Sequence, residues 1–140
     1  MKLELITLLG VKIDHDIYEI VIPTVDGEIG VFPGHEALVT VAKTGVLTVR
    51  YHKGDPDDKL DFFAISGGVV EINQERVRIL VDEAESGDDI IEAQSKTALE
   101  RALKLRETAA DQVELEKAHQ LVDRHMVRLK VADLRRRHRR

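Results

Sequence analysis

The chain has 140 residues, 34% of them charged, a formal net charge of -5 and no cysteine. That length suits one ordinary core or two small units, and the lack of cysteine excludes disulfide frameworks, thiolate metal sites and cysteine nucleophiles. No apolar run approaches the roughly 20 residues of a membrane span and the N-terminus lacks a signal-peptide pattern, so a soluble protein that reaches a membrane only as a passenger is expected.

In chain order, the first strand-like runs are Leu3-Glu4-Leu5-Ile6-Thr7-Leu8 and Tyr18-Glu19-Ile20-Val21-Ile22, the second closed by Pro23-Thr24. Between them lies Asp14-His15-Asp16, which supplies too few convergent ligands for a metal and reads as a turn. Gly27-Glu28-Ile29-Gly30-Val31-Phe32-Pro33-Gly34-His35 follows, with three glycines and a proline in otherwise strand-like sequence. Glycine reaches positive φ cheaply and proline fixes φ, so this stretch predicts a rigid, shaped loop that presents Glu28 and His35.

Four more runs of β-branched and aromatic residues come next: Val46–Tyr51, Leu60–Ile65, Val69–Ile72 and Val77–Val81. Gly45, Gly54-Asp55-Pro56-Asp57, Gly67-Gly68 and Asn73-Gln74 separate them at the spacing of a sandwich or barrel. Val77, Ile79 and Val81 alternate with Arg78 and Leu80, so one face of the strand can be buried.

Composition breaks at Gly87. All 9 glycines, all 3 prolines and every Phe and Tyr lie at or before it. Residues 1–86 carry 8 basic and 16 acidic side chains, net -8, whereas residues 87–140 carry 13 basic and 10 acidic, net +3. Two units are predicted, a β-sandwich over 1–86 and a two-helix hairpin over 87–140.

In the second unit Asp88-Asp89 is expected to cap the first helix, along which Ile91, Ala98, Ala102, Leu105 and Ala109 recur at helical spacing, widened by Leu99 and Leu103. Thr108-Ala109-Ala110-Asp111 predicts the turn, with Asp111 capping the second helix. Leu115, Ala118, Val122, Leu129 and Ala132, helped by Leu121 and Met126, continue the seam. So little apolar surface makes a hairpin that relies on a partner. His119 and Asp123, one turn apart, read as an exposed helix face. The chain ends in Arg135-Arg136-Arg137-His138-Arg139-Arg140.

The glycine-rich stretch, Gly67-Gly68-Val69-Val70-Glu71-Ile72 and the sandwich-then-hairpin layout together resemble the epsilon subunit of F-type ATP synthases, over essentially the whole chain. Ala37 stands where that family usually has proline, and Val69 where it often has phenylalanine. The resemblance implies an α+β protein, an N-terminal antiparallel β-sandwich followed by a C-terminal α-helical hairpin. It implies a non-catalytic rotor subunit that links the gamma subunit to the c-ring. Localisation would be peripheral, on the cytoplasmic side of a bacterial cell membrane, with a plastid thylakoid as the alternative.

Carried over by position, Glu28, Val31, Pro33 and His35 would meet the gamma subunit and the c-ring. On the residues alone, Glu28 reads as a solvated turn acid and His35 as a capping side chain, and only the resemblance sets the interface beside that reading. Some bacterial members bind ATP on the hairpin through an Ile/Leu-Asp-x-x-Arg-Ala motif. Here Ile91 replaces its acid and Gln94 its arginine, and glutamine cannot supply the guanidinium fork, which leaves at most a weak nucleotide site at Glu85, Arg101, Arg124 and Arg128. No cofactor is expected.

In the family the extended hairpin inserts into the catalytic head and brakes hydrolysis. Arg124, Arg128, Lys130, Arg135, Arg136 and Arg137 would then meet acidic residues of the alpha and beta subunits. The plain alternative is a solvated helix end that complements the helix dipole. Nucleic acid is not expected, because the chain is net acidic and no aromatic residue lies near the tail. Enzymatic activity of its own is not expected either, since Ser66, Ser86 and Ser95 are the only serines and none sits in a nucleophile elbow.

Overall fold

Period-two alternation of apolar and polar residues, punctuated by glycine turns, underlies most of the ten strands among the described residues: β1 Lys2–Thr7, β2 Gly10–Asp16, β3 Glu19–Thr24, β4 Gly27–Val31, β5 Leu38–Ala42, β6 Gly45–Arg50, β7 Asp61–Ile65, β8 Gly68–Ile72, β9 Arg76–Val81 and β10 Ala84–Ser86. Two helices follow, α1 Glu92–Glu107 and α2 Gln112–His138. The computed structural model describes residues 1–138; Arg139 and Arg140, the last of the basic run, lie outside the described residues.

Strands β2-β1-β9-β8-β5 form one layer and β4-β3-β6-β7-β10 the other, joined at a corner where Thr24 pairs with Ala42. Fully buried Leu3, Leu5, Ile20, Ile22, Leu47, Val49, Val70, Val77 and Ile79 fill the space between them. The pairing departs from a purely antiparallel sandwich at one place: β1 and β9 run parallel, Leu3 opposite Val77 and Leu5 opposite Ile79. A parallel pair needs a long connection, and here most of the sandwich lies between the two strands in sequence.

Two features of the sequence reading are corrected. Gly27–Val31 is not loop but strand β4, paired with β3 so that Val31 lies opposite Ile20 and Glu28 opposite Pro23. Only residues 32–37 form the loop, which Gly34 turns at φ +87°. Asp14-His15-Asp16 likewise lies on β2 rather than in a turn. Strand β2 is an edge strand exposed at six of its seven residues, and its short alternation Val11-Lys12-Ile13-Asp14 gives way to the polar run Asp14-His15-Asp16, which reads as a turn.

The hairpin also differs in detail. Helix α1 starts at Glu92 with Ile91 at its N-cap and no side-chain cap, so Asp88-Asp89 does not cap it. Asp111 does cap α2: the Glu114 amide donates to its Oδ1 at 2.8 Å, while Glu114 Oε2 accepts from the Ala110 amide at 2.8 Å. Ala102 of α1 and Ala118 and Val122 of α2 are buried, but Ile91, Leu105 and Met126 are exposed. The seam is narrower than its periodicity suggests because α2 divides its apolar surface, giving part to α1 and part to the sandwich.

That second contact lies on β7. Phe63 and Ile65 point into the sandwich core, while Phe62 and Ala64, with Leu60, join Val131 in a second cluster flanked by Val46, Ile90, Val127 and Leu134. Strand β7 is thus buried on both faces, which accounts for its unbroken run Phe62-Phe63-Ala64-Ile65. Gly87 makes the close approach possible: a Cβ there would sit 3.3 Å from Val131 Cγ1 and from Arg135 Cβ.

Candidate functional site

The loop after β4 is anchored at both ends. The Gly34 amide donates to the Gln74 carbonyl at 3.1 Å, and Phe32 packs edge-on against Tyr18 with ring centroids 5.7 Å apart. Of the residues that the resemblance points to, Glu28 and Pro33 are exposed and His35 is half-buried. The His35 ring donates from Nδ1 to the Glu36 carbonyl at 2.6 Å, a local contact that shapes the loop. Val31 is corrected: its side chain is fully buried in the sandwich core, where β4 pairs with β3, and offers nothing to a partner.

The cationic face of α2 lies against the acidic edge of the sandwich. Arg124 Nε is 3.5 Å from Glu83 Oε2, and Arg128 Nε is 2.7 Å from Glu85 Oε2. Arg135 pairs with Asp88, and Arg136 Nη1 reaches Glu92 Oε2 at 3.0 Å. Arg136 and Arg137 also pair with Asp133, one turn back, at 2.6 and 3.0 Å. The Arg136 guanidinium is held above its ordinary pKa by the Asp133 hydrogen bond first and by the field of Glu92 next. Lys130 is exposed. Five arginines assigned by resemblance to a catalytic head are therefore engaged by this chain's own carboxylates. Sequence reasoning missed Glu83, Asp88 and Glu92 as their partners. The signal was present in Arg124, Arg128, Val131 and Arg135, which share one helix face at spacings of four and three.

The four candidate nucleotide residues do not converge. Arg101 opens with Gln94 and Thr97 on a groove of about 520 Å³ between α1 and α2, whereas Glu85, Arg124 and Arg128 line another of about 860 Å³ between α2, β10 and the β1–β2 turn. His125 borders both grooves. Its pKa is lowered, first by burial and then by Arg128 and Arg124, against the opposing pull of Glu83 and Glu85. Its Nδ1 is buried and has no hydrogen-bond partner among the described residues.

Elsewhere, Asp14 pairs with Lys2 at 3.2 Å and His15 packs edge-on against Tyr51, so both residues have structural partners. Among the described residues, no group of three or more His, Cys, Asp or Glu is placed to hold a metal, and no helix is long and apolar enough to cross a membrane. Arg50 is raised above its ordinary pKa by Asp57 and then Glu19, a clamp that fixes the β6–β7 connection.

A family model described as "ATP synthase, Delta/Epsilon chain, beta-sandwich domain" matches residues 1–87. The chain is 33% identical over 135 residues to the ATP synthase epsilon chain of Staphylococcus aureus strain JH9, covering 96% of this chain and 97% of that one, and strain Newman gives the same figures. A chain of the Euglena gracilis mitochondrial ATP synthase, solved by cryo-EM as an OSCP/F1/c-ring assembly in rotational state 1, superposes with a TM-score of 0.78 at 28% identity over 93% of this chain and 79% of that one. A chain of the Tetrahymena thermophila mitochondrial ATP synthase central stalk and c-ring shares the fold, with a TM-score of 0.60 at 15% identity over 93% and 94% of the two chains. With the sandwich matched by its family model and the hairpin spanned by full-length relatives, the chain belongs to the family of ATP synthase delta/epsilon chains, as an epsilon chain.

Proposed function

We propose that this chain is a non-catalytic central-stalk subunit that binds the gamma subunit and the c-ring through its sandwich and the loop at 32–37. In that role it takes part in coupling ion flow to ATP synthesis without touching substrate, and works peripherally, on the cytoplasmic side of a bacterial membrane. The observation that carries the reading is the full-length kinship to epsilon chains, sandwich and hairpin together. Exposed Glu28 and Pro33 and half-buried His35 lie where the family's rotor contact is expected.

The hairpin acts as a brake on hydrolysis in the same reading. Its support is the row of α2 arginines set over a small apolar contact, an arrangement that a competing acidic surface can displace. ATP is not assigned as a regulator, because Gln94 stands in place of a motif arginine and the remaining candidates open on two grooves. The test is reconstitution: the purified catalytic head with gamma subunit should hydrolyse ATP faster with a chain ending at Gly87 than with the full chain. Equal rates across ionic strength would remove the brake and leave the stalk role.

A further inference from the structure

A groove of about 590 Å³ opens between the two layers of the sandwich, lined by no residue of the hairpin or of the loop at 32–37. One wall is β2 from Lys12 to His15, and the other is the β6–β7 connection from Tyr51 to Lys59. The floor is apolar, because Ile13 and Tyr51 both pack against the main core. Both walls are set in advance. Ile6 lies opposite Val11 and Leu5 opposite Ile13, which leaves Lys12 as the extra residue of a bulge, a device that re-aims side chains on an edge strand. Across the groove, Arg50 clamps the connection by donating to the Asp55 carbonyl and pairing with Asp57 at 3.0 Å. The His15 ring is fixed as well: Nδ1 donates to the Asp16 carbonyl at 2.6 Å, and the ring stands edge-on to Tyr51 with centroids 5.3 Å apart.

The charges on the walls narrow the ligand. The two acids of the groove are already engaged. Asp14 pairs with Lys2 at 3.2 Å, and Asp55, only 17% exposed, accepts from the His52 amide at 3.1 Å and lies 3.3 Å from its Nδ1. Among the described residues only Lys2 and Lys96 of the lysines form ion pairs, so Lys12 and Lys59, both exposed, remain without a carboxylate. An apolar floor beside two uncompensated ammonium groups suits a ligand with two parts, a flat body and a compact anion. A phosphate monoester carries close to two negative charges at neutral pH, and lysine binds it as a point charge without a fork. We infer that this groove binds a small organic phosphate, its planar body over Ile13 and Tyr51 and its phosphate between Lys12 and Lys59. The site is separate from both grooves beside α2 and does not depend on the stalk reading.

Phenyl phosphate, titrated into the full chain and followed by nuclear magnetic resonance, tests the site. The signals of His15, Tyr51 and His52 are expected to move together and to saturate, with a dissociation constant of about 1 mM or lower. Inorganic phosphate lacks the ring and phenol lacks the dianion, so each should bind at least about fivefold more weakly. Lys12→Gln combined with Lys59→Gln should weaken phenyl phosphate about tenfold. Lys53→Gln, exposed on the same connection but outside the groove, should change it less than about twofold. Both groove lysines are exposed, so the double variant should keep its fold, which an unchanged melting temperature checks. Signals that fail to saturate by about 20 mM would overturn the site, and so would full affinity in the double variant. Equal affinity for inorganic phosphate would overturn the ligand class. Movement centred on Arg101 or His125 would place the anion on the hairpin and overturn the location.

Discussion

Arg128 holds Glu85 at two points: Nη2 donates to Oε1 at 3.0 Å while Nε lies 2.7 Å from Oε2, tying the middle of α2 to β10 across 43 residues of chain. Both side chains are about seven-tenths buried, at 27% and 31% exposure, so solvent screens the pair only in part. One hydrogen bond with a close ionic contact beside it, partly screened by solvent, is expected to contribute about 1 kcal/mol. Arg128→Ala and Glu85→Ala should each lower the melting temperature by a few degrees, and a double-mutant cycle should return a coupling near that value. A coupling indistinguishable from zero would mean that apolar packing alone seats the helix.

His125 gives this docking a pH dependence whose sign follows from burial. The folded state favours the neutral imidazole, because its pKa lies below the ordinary 6.5. The unfolded or detached state therefore binds protons first as pH falls. The contribution of His125 is complete above about pH 6.5 and is lost as pH drops through the lowered value. Protection of the α1 and α2 amides, taken relative to the intrinsic exchange rate at each pH, is expected to fall as pH drops below about 6.5, and His125→Gln should flatten that fall. An unchanged profile in the variant would assign the response to other groups.

Gly68 makes a sharper prediction. It pairs with Val81, and a Cβ on it would lie 1.9 Å from the Leu80 carbonyl oxygen, a clash with backbone that no rotamer relieves. Gly68→Ala should destabilise the sandwich by about 3 kcal/mol through forced separation of β8 and β9. Gly67→Ala, 3.2 Å from the Ala42 carbonyl oxygen, should cost less. Urea unfolding of both variants orders them, and the reverse order would count against the packing described for this hairpin.

A chain ending at Gly87 keeps all ten strands and the main core, so its β signal in circular dichroism should survive. It also uncovers Leu60, Phe62 and Ala64, which α2 shields in the full chain. The fragment should bind a hydrophobic dye several-fold more strongly than the full chain. Phe62→Ser should reverse much of that gain; a fragment that stays dark to the dye would mean that the outer face of β7 closes by itself.

How much of this the sequence disclosed depended on whether a residue had one job. Ile20, Ile22, Val77 and Ile79 only fill a core, and their alternation announced their strands. Gly27 and Gly30 read as loop because glycine is poor in strands, yet pairing with β3 holds them in β4; tertiary contact overrode local preference. The resemblance points Val31 at an interface, whereas its inward register on β4 puts it in the core. The arginines of α2 were visible as a charged helix face, but Glu83 and Asp88 lie far away in sequence, and no local pattern pairs them. The groove between β2 and the β6–β7 connection was hidden for the same reason, since Lys12 and Lys59 come together only in the fold.

The docked position of α2 makes its arginines a shared resource. A single guanidinium can hold two carboxylates, as Arg136 holds Glu92 and Asp133, but the α2 face that carries Arg124, Arg128 and Val131 is covered by the sandwich as long as the helix is docked. Under the proposed brake, docking here and engagement of a catalytic head compete for one helix face, and the sandwich carboxylates act as a competitor within the chain. Each 1.4 kcal/mol added to the internal pairs lowers the available population tenfold, with no change to the external site. Related chains with the same α2 but different acids at 83, 85, 88 and 92 would then differ in how readily the hairpin leaves, although the surface it leaves for is identical.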